Sequence, residues 1–366
     1  MAVKPRPESR TTSEPTLSAT LTSRIGAPPA PPVTPRRGRA ALRATGLAAS
    51  VLLLVAVAML SIAVGAKQLP LTDVWQGLLH RDAAEYAVVH RMRLPRTLLG
   101  LLAGAALGVA GAVMQALTRN PLADPGLLGI NAGASAAVAS AAALLGIGGV
   151  GGQVWFALLG AAVVTAAVYL VGGGRGATPA RLALAGAALN ATLYSYVSAV
   201  MLLDTASLER LRFWTVGSLA GAEASTVRTV APFVAAGLLV ALAATRALNA
   251  LALGDDAARA LGARPALVRG TVIVAITLLC GAATAACGPI VFVGLLVPHL
   301  VRALTGPDLR WLLPYCAVLA PVLLLGADVL GRVLSRPGEL QVGMVTAVAG
   351  GPLFLWLVLR GRVAHP

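Results

Sequence analysis

The sequence predicts an all-α polytopic membrane protein of about ten transmembrane helices, on three observations. Of its 366 residues, 57% are hydrophobic and only 12% are charged, a balance outside the range of soluble globular domains. The apolar residues fall in repeated runs long enough to cross ~30 Å of hydrocarbon. The arginines behind the formal charge of +15 sit mostly at the ends of those runs, which is the signature of membrane topology. No basic face carries interleaved aromatics, so the charge does not point to nucleic acid.

The chain opens with Met1–Arg43, rich in Pro, Ser, Thr and Arg and nearly free of aliphatic periodicity. Such a segment is expected to be a disordered cytoplasmic tail, followed by a transmembrane domain over 44–362. The first apolar run, Ala44–Ala66, starts too late for a secretory signal and has no convincing cleavage pattern after it, so it is read as a retained span. Arg36, Arg37, Arg39 and Arg43 precede it and place the N-terminus in the cytoplasm. Lys67–Arg96 is then external. Thr97–Leu117 crosses back with Gly100, Gly104, Gly108 and Ala112 four residues apart, a helix face without side chains that lets other backbones come close. This helix is expected at the centre of the bundle.

Thr118–Pro125 is read as an internal turn, made rigid by the two prolines and the Asn of NPLADP. Spans follow at Leu127–Ile147, Val154–Val171, Arg181–Leu203 and Thr229–Leu248, with an external loop Asp204–Arg228 that holds a short interfacial helix at Leu208–Trp214. After a polar cytoplasmic segment, Asn249–Arg269, come Gly270–Ala286, Ile290–Leu304, Leu312–Gly331 and Val342–Leu359. Both termini are then inside, and internal segments hold roughly twice as many Lys and Arg as external ones, as the positive-inside rule requires. The second to fifth and seventh to tenth spans enter from opposite sides, the arrangement of two inverted four-helix repeats.

Little in the chain could do enzyme chemistry. A P-loop needs a Lys at the phosphates, and the only lysines are Lys4 and Lys67, so no catalytic ATP site is expected here. Cys280, Cys287 and Cys316 lie in or beside apolar runs, where a small hydrophobe is the ordinary reading. His80, His90, His299 and His365 are scattered, which leaves no metal or cofactor site. GASA at Gly133 is a poor match to a serine-hydrolase elbow, and an intramembrane enzyme has little support.

Five motifs together carry a resemblance: RLPR at Arg93–Arg96, NPLADPGLLGI at Asn120–Ile130, LALGDDAARALG at Leu251–Gly262, GPIVFVGLLVPHLVR at Gly288–Arg302 and ELQVGMVTAVAGGPLFLWLVL at Glu339–Leu359. In this combination, and across Val51–Arg362, the chain resembles the FecCD/BtuC family, permeases of ABC importers for iron-siderophores, haem and vitamin B12. The resemblance implies a BtuC-like fold in the inner membrane and a dimer with a second copy or a similar permease. It also implies two separate ATPase subunits and an external solute-binding protein, with ferric siderophore as the commonest cargo. The Pro-rich tail is longer than such permeases usually carry.

The resemblance also assigns sites. Within the cytoplasmic segment 249–269, residues Leu253, Gly254, Asp255, Asp256, Ala257, Ala258, Arg259, Ala260, Leu261 and Gly262 would form a coupling helix docked in the ATPase. Carboxylates at its start suit the positive helix end, and Gly262 is a natural stop. Arg93 and Arg96 at the external mouth of the central helix and Arg332 after the ninth span would pair with glutamates of the binding protein, bidentately, although Asp328 stands four residues before Arg332 and could occupy it. Asn190, Tyr194, Ser195 and Ser198, with Thr192, concentrate in the fifth span and are pathway candidates; the alternative is that hydroxyls there bond their own backbone. A competing reading, an ion-coupled secondary transporter, calls for acidic residues at the midplane, and the sequence shows none there.

Overall fold

The computed structural model describes residues 36–65, 69–147, 150–204, 211–212 and 214–359. The tail up to residue 35, Lys67, most of Leu208–Trp214 and the C-terminal end therefore lie outside the described residues. Packing separates the chain into Met1–Ala41 and Leu42–Pro366, and the second unit carries the membrane-spanning bundle.

The helices are α1 (Arg36–Ala63), α2 (Leu71–Leu79), α3 (Tyr86–Thr118), α4 (Ile130–Leu145), α5 (Val150–Val171), α6 (Pro179–Leu203), α7 (Ala224–Ala252), α8 (Asp255–Ala260), α9 (Pro265–Cys287), α10 (Val293–Thr305), α11 (Leu309–Leu334) and α12 (Val342–Leu359). Among the described residues, seven of these are long and apolar enough to cross a membrane, and α4, α10 and α12 are shorter apolar helices. Together they supply the ten predicted spans.

α3 is the centre. It is the most enclosed of the long apolar helices and packs on α11, α9, α7 and α10. Its glycine face explains why: a Cβ on Gly104 would stand 2.5 Å from Pro321 Cα, and one on Gly108 would meet Cys316 O at 2.7 Å, both on α11. Gly111, outside that four-residue step, faces α10, where a Cβ would strike the Gly294 carbonyl. Where hydrocarbon surrounds the helices, such backbone contact supplies the van der Waals attraction that apolar burial does not.

Several boundaries differ from the sequence expectation. Lys67–Arg96 is not simply a loop: it contains α2, and the helix of the second span starts at Tyr86, passing through a π turn at Val89–Arg93. Arg93 and Arg96 therefore belong to the helix. Arg332 likewise lies within α11 and not after it. The eighth span is a 13-residue helix, because the chain stays irregular until Phe292, whose φ of 68° lies in the left-handed region.

The two four-helix units are visible in the packing. α3 lies on α10 and α11, and its counterpart α9 lies on α4 and α5. The second helix of each unit is short, and each is preceded by a left-handed residue, Gly129 (φ 78°) before α4 and Phe292 (φ 68°) before α10. The matching position of these two short helices agrees with the two repeats expected from the alternating topology.

Candidate functional site

Three places answer to the predicted site residues, two at opposite ends of the bundle and one along α6.

At one end the coupling segment is shorter than expected: α7 continues to Ala252 and α9 begins at Pro265, which leaves 253–264 outside the long helices. Gly254 (φ 115°) starts α8, and Gly262 (φ 81°) follows it. Asp255 and Asp256, adjacent in sequence, do different work. Asp256 is fully exposed and meets Arg259 Nη1 at 2.6 Å. Asp255 turns to the bundle, accepting from Arg269 Nη2 at 2.7 and 2.8 Å and from Arg119 Nη2 at 2.8 Å. The Arg269 hydrogen bonds, followed by those of Arg119, hold its carboxyl below the usual aspartate range despite partial desolvation. Ala258 is buried, whereas Leu253 and Leu261, at either end of α8, are 70% and 67% exposed.

At the other end, Arg93, Arg96 and Arg332 do gather in space, but they are not exposed rim charges. All three are buried. Arg96 grips Asp328 through Nε and Nη2 and reaches Glu339 Oε2 with Nη1 at 2.7 Å. Arg332 Nη2 lies 2.9 Å from Asp328 Oδ2, the pairing that the four-residue spacing predicts, and its Nη1 donates to the Ser61 and Val64 carbonyls. Arg93 Nη1 donates to the Ile62 and Ala63 carbonyls at 2.8 and 2.7 Å. These carbonyls lie at and just past the end of α1, where the last carbonyls of a helix have no intrahelical N–H donors, so two arginines cap it. Asp328 is completely buried, deeper than its place near a helix end implied, and it is held between two guanidinium groups. Beside this cluster opens a cavity of about 500 Å³ lined by Arg93, Arg96, Arg332, Glu339, Met92 and Gly65. The signal for Glu339 was present in the sequence, since ELQVG was singled out, but its partner could not be read from a separation of 243 residues.

The pathway candidates lie on α6, which is among the least enclosed of the long helices. Tyr194 is 45% exposed, and Ser195 and Ser198 are exposed. Ser195 and Thr192 donate to the carbonyls four residues back, Ala191 and Ala188, so their hydroxyls are satisfied within the helix. Asn190 differs. Its Nδ2 donates to the Gly126 carbonyl at 3.1 Å, in the turn that follows α3.

A model of the FecCD transport family matches residues 53–360. The ferric enterobactin transport system permease protein FepD of Escherichia coli K12 is 47% identical over 88% of this chain and 97% of its own length. The Fe(3+)-citrate import system permease protein YfmD of Bacillus subtilis is 41% identical over 83% and 91%, and the hemin transport system permease protein HmuU of Yersinia pestis 38% over 85% and 94%. A solved metal-chelate type ABC transporter in an inward-facing conformation superposes with a TM-score of 0.76 at 29% identity, covering 87% of this chain and 99% of that one. The chain belongs to the FecCD transport family and is a transmembrane permease subunit of an ABC importer.

Proposed function

We propose that this permease carries a ferric siderophore across the inner membrane as one half of a dimeric channel, driven by ATP hydrolysis on two separate subunits and supplied by an external binding protein. The observation that carries the energy coupling is α8, which stands outside the long helices with Leu253, Leu261 and the Asp256–Arg259 pair exposed, in a chain whose lysines are Lys4 and Lys67 only. The cargo class follows the 47% identity to a ferric enterobactin permease. Both termini are read as cytoplasmic, with α8 on the same side.

The cavity at the other end is read as the dock for the binding protein. A carboxylate from that partner would meet Arg96 by displacing Glu339, whose side chain is 29% exposed, with Arg93 and Arg332 reinforcing the positive potential from behind. The exposed face of α6, with Asn190, Tyr194, Ser195 and Ser198, is read as pathway wall against the second permease. Affinity purification from mild detergent tests the whole assembly: the permease should bring down an ATPase and, with ferric enterobactin present, a binding protein. Recovery of the permease alone, from membranes in which both partners are expressed, would overturn the reading.

A further inference from the structure

Arg119 follows the last residue of α3 in a left-handed conformation, φ 51° and ψ 33°, uncommon for a residue with a side chain. Its Nε and Nη2 donate to the Leu251 carbonyl at 3.0 and 2.6 Å, and Nη2 also reaches Asp255 Oδ1 at 2.8 Å. Leu251 lies in the final turn of α7, and Asp255 opens α8. Because Asp255 is also bound by Arg269 of α9, four helices meet at one guanidinium–carboxylate pair. The chain after Arg119 is held by its own side chains: Asn120 Oδ1 accepts from Leu122 N at 2.9 Å, and Asp124 Oδ1 from Gly126 N at 2.7 Å. The Gly126 carbonyl then takes the Asn190 amide of α6. A continuous line of hydrogen bonds and backbone therefore runs from α8, through the turn 119–129, to α6.

We propose that Arg119 is a positioning residue for transport, and that through it the turn 119–129 transmits displacement of α8 to α6. The proposal rests on α8 being the ATPase dock. Energetic coupling between sites travels through such contiguous contacts when the element between them moves as a unit. The pair is placed to be made and broken, since the side chains of Arg119 and Asp255 are 38% and 30% exposed and a pair so open to solvent is only modestly stabilising.

Arg119→Gly tests it with little risk to folding, because Gly adopts the left-handed conformation freely while the guanidinium is lost. In the detergent-solubilised chain, amide exchange at 120–129 and at 255–262 should rise together, by about fivefold or more. Asp255→Asn, on a different element, should speed exchange at 120–129 as well, and the double variant should add little to either single change. If Asp255→Asn leaves 120–129 unaltered, the link does not exist. In the complex with its ATPase and binding protein, with ferric enterobactin as probe, Arg119→Gly should keep ATP hydrolysis within about twofold and lower cargo moved per ATP by about fivefold. An unchanged ratio overturns the transmission role, and so does loss of hydrolysis together with transport, which would make Arg119 an assembly residue. If the unaltered chain engages no ATPase, the reading of α8 fails, and the exchange arm still decides whether the link is real.

Discussion

Arg96 holds Asp328 side-on, with Nε 3.0 Å from Oδ2 and Nη2 2.7 Å from Oδ1, and the carboxylate has no exposed surface. Removing one partner of a buried pair leaves the other charge uncompensated and costs about 3–5 kcal/mol. Asp328→Asn removes the carboxylate shared by two buried guanidinium groups, leaving Arg332 with only neutral acceptors and Arg96 with Glu339 alone, so its loss in a denaturant titration should fall in that range. Glu339→Gln, at a partly exposed partner of the same arginine, should cost at most about 1 kcal/mol. Equal losses for the two would show that Asp328 is not the keystone of the cluster.

Leu253 and Leu261 are exposed in the permease but would be covered by an ATPase. Either leucine changed to Asp should leave the thermal midpoint of the isolated permease unchanged and reduce ATPase recovery by about tenfold or more, since an unpaired carboxylate is costly to bury in an apolar contact. Full recovery with both leucines replaced would place the dock elsewhere.

The pH behaviour of α8 follows from Asp255, whose carboxyl is held low chiefly by Arg269. A depressed folded value means that the attachment is complete above the unfolded aspartate value of about 3.9 and is lost as pH falls through the lower folded one. A spin label at Asp256→Cys reports this selectively, because Cys280, Cys287 and Cys316 are buried. Its mobility should stay flat from pH 7 to about 4 and rise below; in Asp255→Asn it should be high throughout. A rise between pH 5 and 6 would contradict the ion-pair assignment.

Gly111 has no room for a methyl group against the Gly294 carbonyl, whereas Gly270 faces open space. Gly111→Ala should therefore destabilise by about 1–3 kcal/mol through overpacking, and Gly270→Ala should be neutral or stabilise by up to about 1 kcal/mol through helix propensity. The reverse order in thermal unfolding would contradict the close α3–α10 contact.

The spans, their order and the central glycine-faced helix were legible because hydrocarbon length and small-residue spacing are local properties of the chain. The start of α8 was legible for the same reason, with Gly254 and two acids adjoining. What could not be read was which charge faced where. Asp255 and Asp256 look alike in sequence, yet one is bound by Arg119 and Arg269, 136 and 14 residues away, while the other meets solvent. Arg93, Arg96 and Arg332 read as surface docking arginines because they stand at span ends and the resemblance pairs them with a binding protein; their burial depends on α1 carbonyls and on Asp328, partners set by tertiary packing. The short α10 was missed because the apolar run continues through Phe292, where the backbone leaves the helix.

In the ATP-driven assembly proposed above, this chain moves no cargo by itself. Radioiron-labelled ferric enterobactin uptake into proteoliposomes tests it most directly, with permease, ATPase and binding protein added singly and together and with proton or sodium gradients imposed. Accumulation is expected only when all three proteins and ATP are present, unaffected by either gradient. Uptake by the permease alone under a proton or sodium gradient would contradict it.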